Sequence, residues 1–127
     1  MVSARRGAGF TLVELLVVMA IIALLLTLAA PRYFRSVTTA EETVLKENLV
    51  LMRDAIDKHY GDHGKYPASL DDLVQRRYLR SIPPDPITKS AGTWVVVPPP
   101  DPSQGGVYDV RSGAPGEARD GRPYADL

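Results

Sequence analysis

The feature that most constrains this chain is an apolar run near its N-terminus. Residues 12–30 read LVELLVVMAIIALLLTLAA, 19 residues interrupted only by Glu14 and Thr27. As a helix this run is about 29 Å long, which is enough to cross a bilayer. Arg5 and Arg6 precede it without an acidic residue. The positive-inside rule therefore predicts a cytoplasmic N-terminus and an outward-facing remainder.

Composition narrows the functions that remain open. The formal net charge is +0, with 15 basic and 15 acidic residues, so the basic excess typical of non-specific nucleic-acid binding is missing. The chain has no cysteine, which excludes a disulfide framework, a cysteine nucleophile and thiolate zinc ligands. The sequence contains neither a recognisable nucleophile, base and carboxylate spacing nor a phosphate-binding glycine loop. We expect no nucleic-acid partner and no enzymatic activity.

A cleaved secretory signal is the alternative explanation of the apolar run. Such signals have an apolar core of about 7 to 15 residues, which is shorter than this run. The only small-residue cleavage candidate, residues 27–30, leads directly into Pro31. Glu14 argues more strongly against a signal, because a carboxylate in an apolar span costs on the order of 2.5–3.5 kcal/mol and so has a partner or a function. We interpret the run as a retained membrane helix.

The residues that open the run resemble a known processing signature. The segment GFTLVE at residues 9–14, followed by an apolar run that ends at Pro31, is similar to the signature of type IV prepilins. The resemblance implies cleavage by a prepilin peptidase between Gly9 and Phe10, and N-methylation of Phe10. It also implies that the mature chain keeps its membrane helix and assembles with copies of itself into a helical filament.

Two residues, Glu14 and Pro31, are expected to act in this assembly. Cleavage after Gly9 creates an ammonium at Phe10, one helical turn from the Glu14 carboxylate. The positive end of the helix dipole disfavours an ammonium at its own N-terminus, so a neighbouring subunit's carboxylate is the better-matched partner. Pro31 has two readings that stay open: it marks the membrane exit, or it weakens the helix around residues 27–30 as a built-in break.

Beyond Pro31 the sequence predicts an amphipathic continuation of the helix. Apolar residues recur at spacings of mainly three and four: Val37, Leu45, Leu49, Met52, Ile56 and Tyr60, with Val44 and Leu51 beside them. The opposite face is expected to be solvated and carries Glu41, Glu42, Lys46, Glu47, Arg53, Asp54, Asp57 and Lys58. Gly61 and Gly64 are expected to mark the helix end, which predicts one helix of about fifty residues.

The remaining residues predict a small α+β head. Ser69, followed by acidic residues, is a helix N-cap that predicts a short helix from about Leu70 to Arg77. Strand-forming composition at residues 93–97 and 107–110 predicts a small antiparallel sheet. The proline-rich and glycine-rich stretch 98–106 connects the two strands. The expected fold class is therefore α+β, a long N-terminal helix with a small globular head.

Several motifs of the head, taken in order, resemble the major pseudopilin of type II secretion systems. They are GKYP at residues 64–67, SLDDLV at 69–74, YLR at 78–80 and IPPDP at 82–86. The resemblance implies a single-pass bacterial inner-membrane protein with a cytoplasmic N-terminus, assembled into a periplasmic filament that drives protein export. It implies minor pseudopilins and an inner-membrane assembly platform as partners, beside the prepilin peptidase.

The expected organisation is a leader peptide at residues 1–9, a transmembrane and assembly helix at 10–31 and a periplasmic head at 32–127. An alternative of a different class is a type IV pilin-like surface fibre for adhesion or DNA uptake. Such pilins commonly carry a C-terminal disulfide loop, and the lack of cysteine in this chain weighs against that alternative.

Calcium is the cofactor that the resemblance suggests. Major pseudopilins similar to this chain bind calcium in a C-terminal loop through aspartates and backbone carbonyls, which makes Asp109, Asp120 and Asp126 candidate ligands. Calcium takes six to eight oxygen ligands. Residues 112–127, which we expect to form an ordered or partly ordered loop, supply few acids near one another.

A second metal hypothesis concerns His59 and His63. Their spacing of four can place two zinc ligands on one helix face. Gly61 lies between them and Gly64 follows them, and these glycines favour a helix terminus over a metal site.

Overall fold

The computed structural model describes residues 9–127, and the predicted leader residues 1–8 lie outside the described residues. The chain contains helix α1 at Leu12–His63, helix α2 at Leu70–Gln75, strand β1 at Val95–Val97 and strand β2 at Asp109–Arg111, with short 3-10 helices at Pro102–Gln104 and Tyr124–Asp126. It divides into two compact units, the first ending at Val37 and the second comprising Thr38–Leu127. The predicted α+β class is confirmed.

Helix α1 confirms the prediction of one long helix, with 52 residues that run through Pro31 without interruption. It ends where Gly64 takes a left-handed conformation, with φ of 69°, and donates its N–H to the Tyr60 carbonyl at 2.8 Å. Gly61 lies inside the helix, contrary to the expectation that both glycines mark its end. A single interior glycine costs only about 1 kcal/mol, which is too little to end the helix.

The second half of α1 supplies one side of the core of the second unit. Four residues of the predicted apolar stripe are buried, as expected: Leu45, Leu49, Met52 and Ile56. They pack with the α2 residues Leu70 and Leu73, with the loop residues Leu79, Trp94 and Val107, and with the sheet and tail residues Val110, Ala114, Ala118 and Tyr124. The prediction was wrong for Val37, Val44, Leu51 and Tyr60, which stay exposed, because the small second unit covers a narrower face of α1 than the stripe suggests.

Two charges of the predicted solvated face are instead used to attach the C-terminal segment to α1. Glu42 is only 8% exposed, and its carboxylate accepts the backbone N–H of Arg119 at 2.8 Å. Arg53 is partly buried and donates to the Asp109 carboxylate at 2.9 Å and to the Leu127 carbonyl at 2.9 Å. The tail is therefore an ordered part of the second unit.

Helix α2 confirms the predicted cap and ends two residues earlier than expected. The Ser69 hydroxyl accepts the Asp72 N–H at 3.2 Å, which satisfies one of the otherwise free donors of the first turn. Arg77 has a φ of 64°. This left-handed conformation turns the chain out of the helix, so α2 stops at Gln75.

The sheet is antiparallel, as predicted, and both strands are shorter than expected. Strand β1 at Val95–Val97 pairs with strand β2 at Asp109–Arg111. Trp94 stays outside the ladder because its indole N–H donates to the Pro83 carbonyl at 2.7 Å, and its ring is buried. Val107 stays outside because its backbone N–H donates to a loop carbonyl before the sheet begins. Side-chain and loop contacts therefore set the strand ends.

A fully buried carboxylate, Asp85, organises the loop between α2 and the sheet. Its carboxylate accepts the Ile87 N–H at 2.8 Å and the Ser112 hydroxyl at 2.6 Å, and its backbone N–H donates to the Ser90 carbonyl at 3.0 Å. Asp85 is 0% exposed, so these bonds form away from water. They connect the loop to the start of the tail, 27 residues further along the chain.

We expect Asp85→Ala to destabilise the second unit by about 3 kcal/mol, because it leaves a buried N–H and a buried hydroxyl without their acceptor. Urea unfolding of the full chain in detergent, followed by the fluorescence of Trp94, the single tryptophan, measures the loss. Asp101→Ala is the matched control, since the exposed Asp101 also accepts an N–H and a hydroxyl, both from Ser103. Equal unfolding midpoints for the two variants would contradict the role of Asp85.

Candidate functional site

The apolar run forms an uncovered surface on the first part of α1. Every side chain from residue 12 to residue 30 is exposed, and by length and composition α1 can cross a membrane. A contiguous apolar surface of this size is not found free in water on soluble monomers. The first unit therefore needs lipid or the helices of other proteins around it.

A reciprocal pair of hydrogen bonds opens this helix. The Thr11 hydroxyl accepts the Glu14 N–H at 3.1 Å, and the Glu14 carboxylate accepts the Thr11 N–H at 3.4 Å. This is a capping box, which satisfies two donors of the first helical turn. Thr11 was not among the predicted site residues, although the threonine followed three positions later by glutamate is a recognisable signal for it.

The predicted cleavage position lies just before the helix. Gly9 and Phe10 precede α1 and are exposed, and the Phe10 side chain is 79% exposed. The peptide bond between them is therefore outside the hydrogen-bonded part of the helix. Glu14 lies in the first turn, as expected, and its carboxylate is directed at Thr11, the residue that follows Phe10.

Pro31 lies inside α1, within the exposed first unit. A proline has no N–H, so it cannot donate to the carbonyl of Thr27, four residues before it. The Thr27 hydroxyl donates to the Ala23 carbonyl at 2.8 Å, a bond that commonly accompanies helix bending. The helix continues through this position, and both the membrane exit at Pro31 and its action as a break stay predictions.

The three aspartates suggested for calcium do not form one site. Asp109 and Asp126 line a small cavity of about 200 Å³ together with Arg53 and Arg111. Asp120 is absent from that lining, and it pairs with Arg122 at 2.8 Å. In the part of the chain from residue 9 onward, no three His, Asp or Glu side chains are grouped to hold a metal. The carboxylates as placed do not fit calcium, whose binding stays a prediction.

His59 and His63 share one face of α1, because the helix continues to His63, and their rings lie 4.5 Å apart. The His59 Nδ1 is 2.8 Å from the Lys65 carbonyl, so Nδ1 carries the proton that bonds it. The Arg76 guanidinium lies 3.3 Å from the His63 Nε2 and donates to the Asp72 carboxylate at 3.2 Å. The Arg76 cation therefore contacts the His63 nitrogen that a zinc ion would need, and these contacts attach α2 to α1.

The sequence of this chain is similar to those of known proteins. Residues 4–30 match the family described as the prokaryotic N-terminal methylation motif. The chain is 30% identical to type II secretion system core protein G of Aeromonas hydrophila over an aligned length of 101 residues, in an alignment that covers 77% of this chain and 68% of that protein. It is 28% identical to the protein of the same description in Escherichia coli over 126 residues, covering 87% and 83% of the two chains.

A third relative has a different description. The chain is 32% identical to competence protein ComGC of Halalkalibacterium halodurans over 75 residues, covering 59% of this chain and 74% of that protein. No solved structure matches the chain. The likeness to the core protein G sequences is the broader of the two, because it covers more of this chain.

The Asp72 carboxylate gives the stability of the second unit a pH dependence. Partial burial raises the pKa of Asp72, but hydrogen bonds from the Arg76 guanidinium and the Ala68 N–H outweigh it, and the pKa lies below its usual value. A lowered pKa in the folded state means that the carboxylate stabilises the fold at neutral pH and that this contribution is lost as the pH falls below about 4.

We therefore expect Asp72→Asn to lower the free energy of unfolding at neutral pH and to flatten its decline below about pH 4, where the carboxylate protonates. Denaturant unfolding at a series of pH values measures this decline. Asp71→Asn is the control, because the neighbouring Asp71 is exposed. If both variants decline as steeply as the wild type, Asp72 is not responsible for the pH dependence.

Proposed function

The chain belongs to the family of type II secretion system core protein G, and we propose that it is a structural subunit of the periplasmic pseudopilus that drives protein export. The observation that carries this proposal is the extent of the likeness to the Aeromonas hydrophila protein. The alignment covers 77% of this chain, which is more than the second unit, Thr38–Leu127, makes up. The likeness therefore includes part of the first unit as well as the head.

Assembly follows from the surface that α1 leaves uncovered. In the membrane, lipid chains cover the apolar side chains of residues 12–30. In a filament, the same side chains of neighbouring subunits cover one another, which conserves apolar burial while the environment changes from lipid to protein. The role of the subunit is mechanical, and we propose no catalytic activity for it.

Glu14 is the residue that we propose to direct this packing. In the single chain its carboxylate accepts the Thr11 N–H at 3.4 Å, a long distance for such a bond. Cleavage between Gly9 and Phe10 creates an ammonium, a stronger partner for a carboxylate. We propose that Glu14 exchanges its bond to Thr11 for the Phe10 ammonium of a neighbouring subunit, which aligns the two chains.

The partners follow from this role. We propose that a prepilin peptidase cleaves and methylates the chain, and that minor pseudopilins and an inner-membrane platform start and extend the filament. Before assembly the subunit is a single-pass inner-membrane protein with its N-terminus in the cytoplasm and its head in the periplasm. The observation in support is the match of residues 4–30 to the N-terminal methylation motif.

The second candidate function is a surface fibre for adhesion or DNA uptake. The likeness to a competence protein is the observation that favours it, and that likeness covers 59% of this chain. A net charge of +0 gives little attraction to a phosphate backbone. We therefore place export ahead of DNA uptake.

Deletion of the gene separates the two functions. We expect loss of secreted folded proteins from the medium, with surface adhesion and DNA uptake unchanged, because a periplasmic filament acts on export alone. Complementation with the wild-type gene is the control for polar effects. Intact secretion, combined with lost adhesion or lost DNA uptake, would favour the surface fibre.

We expect Glu14→Ala to abolish filament formation and to leave cleavage intact, because the alanine removes the carboxylate that aligns subunits without changing Gly9 or Phe10. Sedimentation of filaments measures assembly, and mass spectrometry of the membrane form reports the N-terminus, which we expect to be methylated Phe10. Glu117→Ala, a change at an exposed acidic residue of the tail, is the control. Normal filaments from Glu14→Ala, or a different mature N-terminus, would contradict the mechanism.

A further inference from the structure

A surface groove lies on the first unit at the end of the apolar run. Leu25, Leu28, Ala29 and Arg32 line it, and its volume is about 540 Å³. Their spacings of three, four and seven residues place these four side chains on one face of α1. The groove, named here the Arg32 groove, thus has an apolar floor and a guanidinium at its C-terminal end.

Arg32 has no acidic partner in its surroundings. The sequence contains no Asp or Glu between Glu14 and Glu41, so the nearest acidic residue along the helix is about 13 Å away. No ion pair to Arg32 occurs within residues 9–127. Other cations of α1 differ, since Arg53 pairs with an aspartate and Lys58 pairs with one a single turn away.

Aromatic side chains lie next to this arginine. Tyr33 and Phe34 follow Arg32 directly, each 67% exposed, with their ring centroids 5.9 Å apart. Aromatic rings exposed at the end of an apolar span typically lie at the level of the lipid headgroups. The order along α1 is therefore a hydrocarbon-facing run, a cation, and then an aromatic pair at the expected depth of the membrane surface.

The outer end of the apolar run carries positive charge. In the proposed orientation Arg32 and Arg35 lie on the outer flank of the span, where the positive-inside rule disfavours Lys and Arg. A guanidinium binds a phosphate through two parallel hydrogen bonds, and that geometry is specific to Arg. A phosphate at the membrane surface therefore supplies the counter-charge that no ion pair within residues 9–127 gives to Arg32.

We propose that the Arg32 groove binds an anionic phospholipid, with the lipid phosphate on the Arg32 guanidinium and an acyl chain against Leu25, Leu28 and Ala29. The inference rests on the proposed function only in placing α1 in a membrane. The lipid holds the stored subunit at a fixed depth. It also covers a face that neighbouring helices cover after assembly, so lipid and subunit compete for the groove.

The test uses the full mature chain in nanodiscs with equal amounts of phosphatidylcholine and phosphatidylglycerol. After gentle release, native mass spectrometry counts the lipids that stay bound. We expect the chain to retain phosphatidylglycerol over phosphatidylcholine by about fivefold, the factor for one Arg at an anionic surface. Arg32→Gln removes this preference. No preference in the wild-type chain, or an unchanged preference in Arg32→Gln, overturns the proposal.

A pair of neighbouring alanines tests the apolar floor. Ala29→Phe fills the groove and is expected to lower lipid retention severalfold, whereas Ala30→Phe, outside the lining, leaves it unchanged. Equal effects of the two changes overturn the acyl-chain contact. Displacement of the lipid by millimolar inorganic phosphate indicates a simple anion site and also overturns the proposal. A second copy of the chain bound in the Arg32 groove in place of lipid overturns it as well.

Failure of this inference is distinguishable from failure of the proposed function. Lipid retention is read on purified chain in nanodiscs, whereas export is read from the medium of the deletion strain. A clear lipid preference in the wild-type chain, together with intact secretion in the deletion strain, rejects the pseudopilus role alone. Lost secretion in the deletion strain, together with no lipid preference in the wild-type chain, rejects lipid binding by the Arg32 groove alone.

Discussion

The structure depends above all on the apolar surface of α1 that the chain does not cover for itself. In a soluble domain, nineteen consecutive positions of this kind would be buried in a core, whereas here each side chain from residue 12 to residue 30 is exposed. The hydrophobic effect therefore acts between this chain and its surroundings rather than within it. Lipid storage, filament packing and a single membrane span are all ways of meeting this one requirement.

The second half of the same helix solves a different problem. Its buried face is narrow, and the short helix, two-stranded sheet and tail together bury only a small core against it. Polar contacts compensate for the small size of this core. Asp85 ties the loop to the tail, and Glu42 and Arg53 hold the C-terminal segment against α1. A two-stranded sheet is marginal by itself, so these buried polar bonds are part of what keeps the second unit in one conformation.

The long helix and its apolar stripe could be predicted because both depend on local sequence. A run of nineteen residues interrupted only by Glu14 and Thr27 leaves few alternatives, and Leu45, Leu49, Met52 and Ile56 follow helical spacing. The burial of Glu42 could not be predicted, because its partner, the Arg119 N–H, lies 77 residues away. The same distinction applies to the candidate site. The Thr11 cap depends on local sequence and could be recognised, whereas the separate positions of Asp109 and Asp120 depend on how the tail folds.

The capping box at the start of α1 has an energetic consequence. Because the Glu14 carboxylate already accepts a bond from Thr11, the proposed exchange of that bond for a neighbouring subunit's ammonium replaces one polar contact with another, and most of the gross energy of the new contact cancels. Such a residue contributes more to the choice of the correct alignment than to the affinity between subunits. A misaligned neighbour leaves Glu14 bonded to Thr11 and gains no ion pair with it. Subunit addition can then stay reversible until many apolar contacts have formed, which gives a growing fibre the means to reject errors.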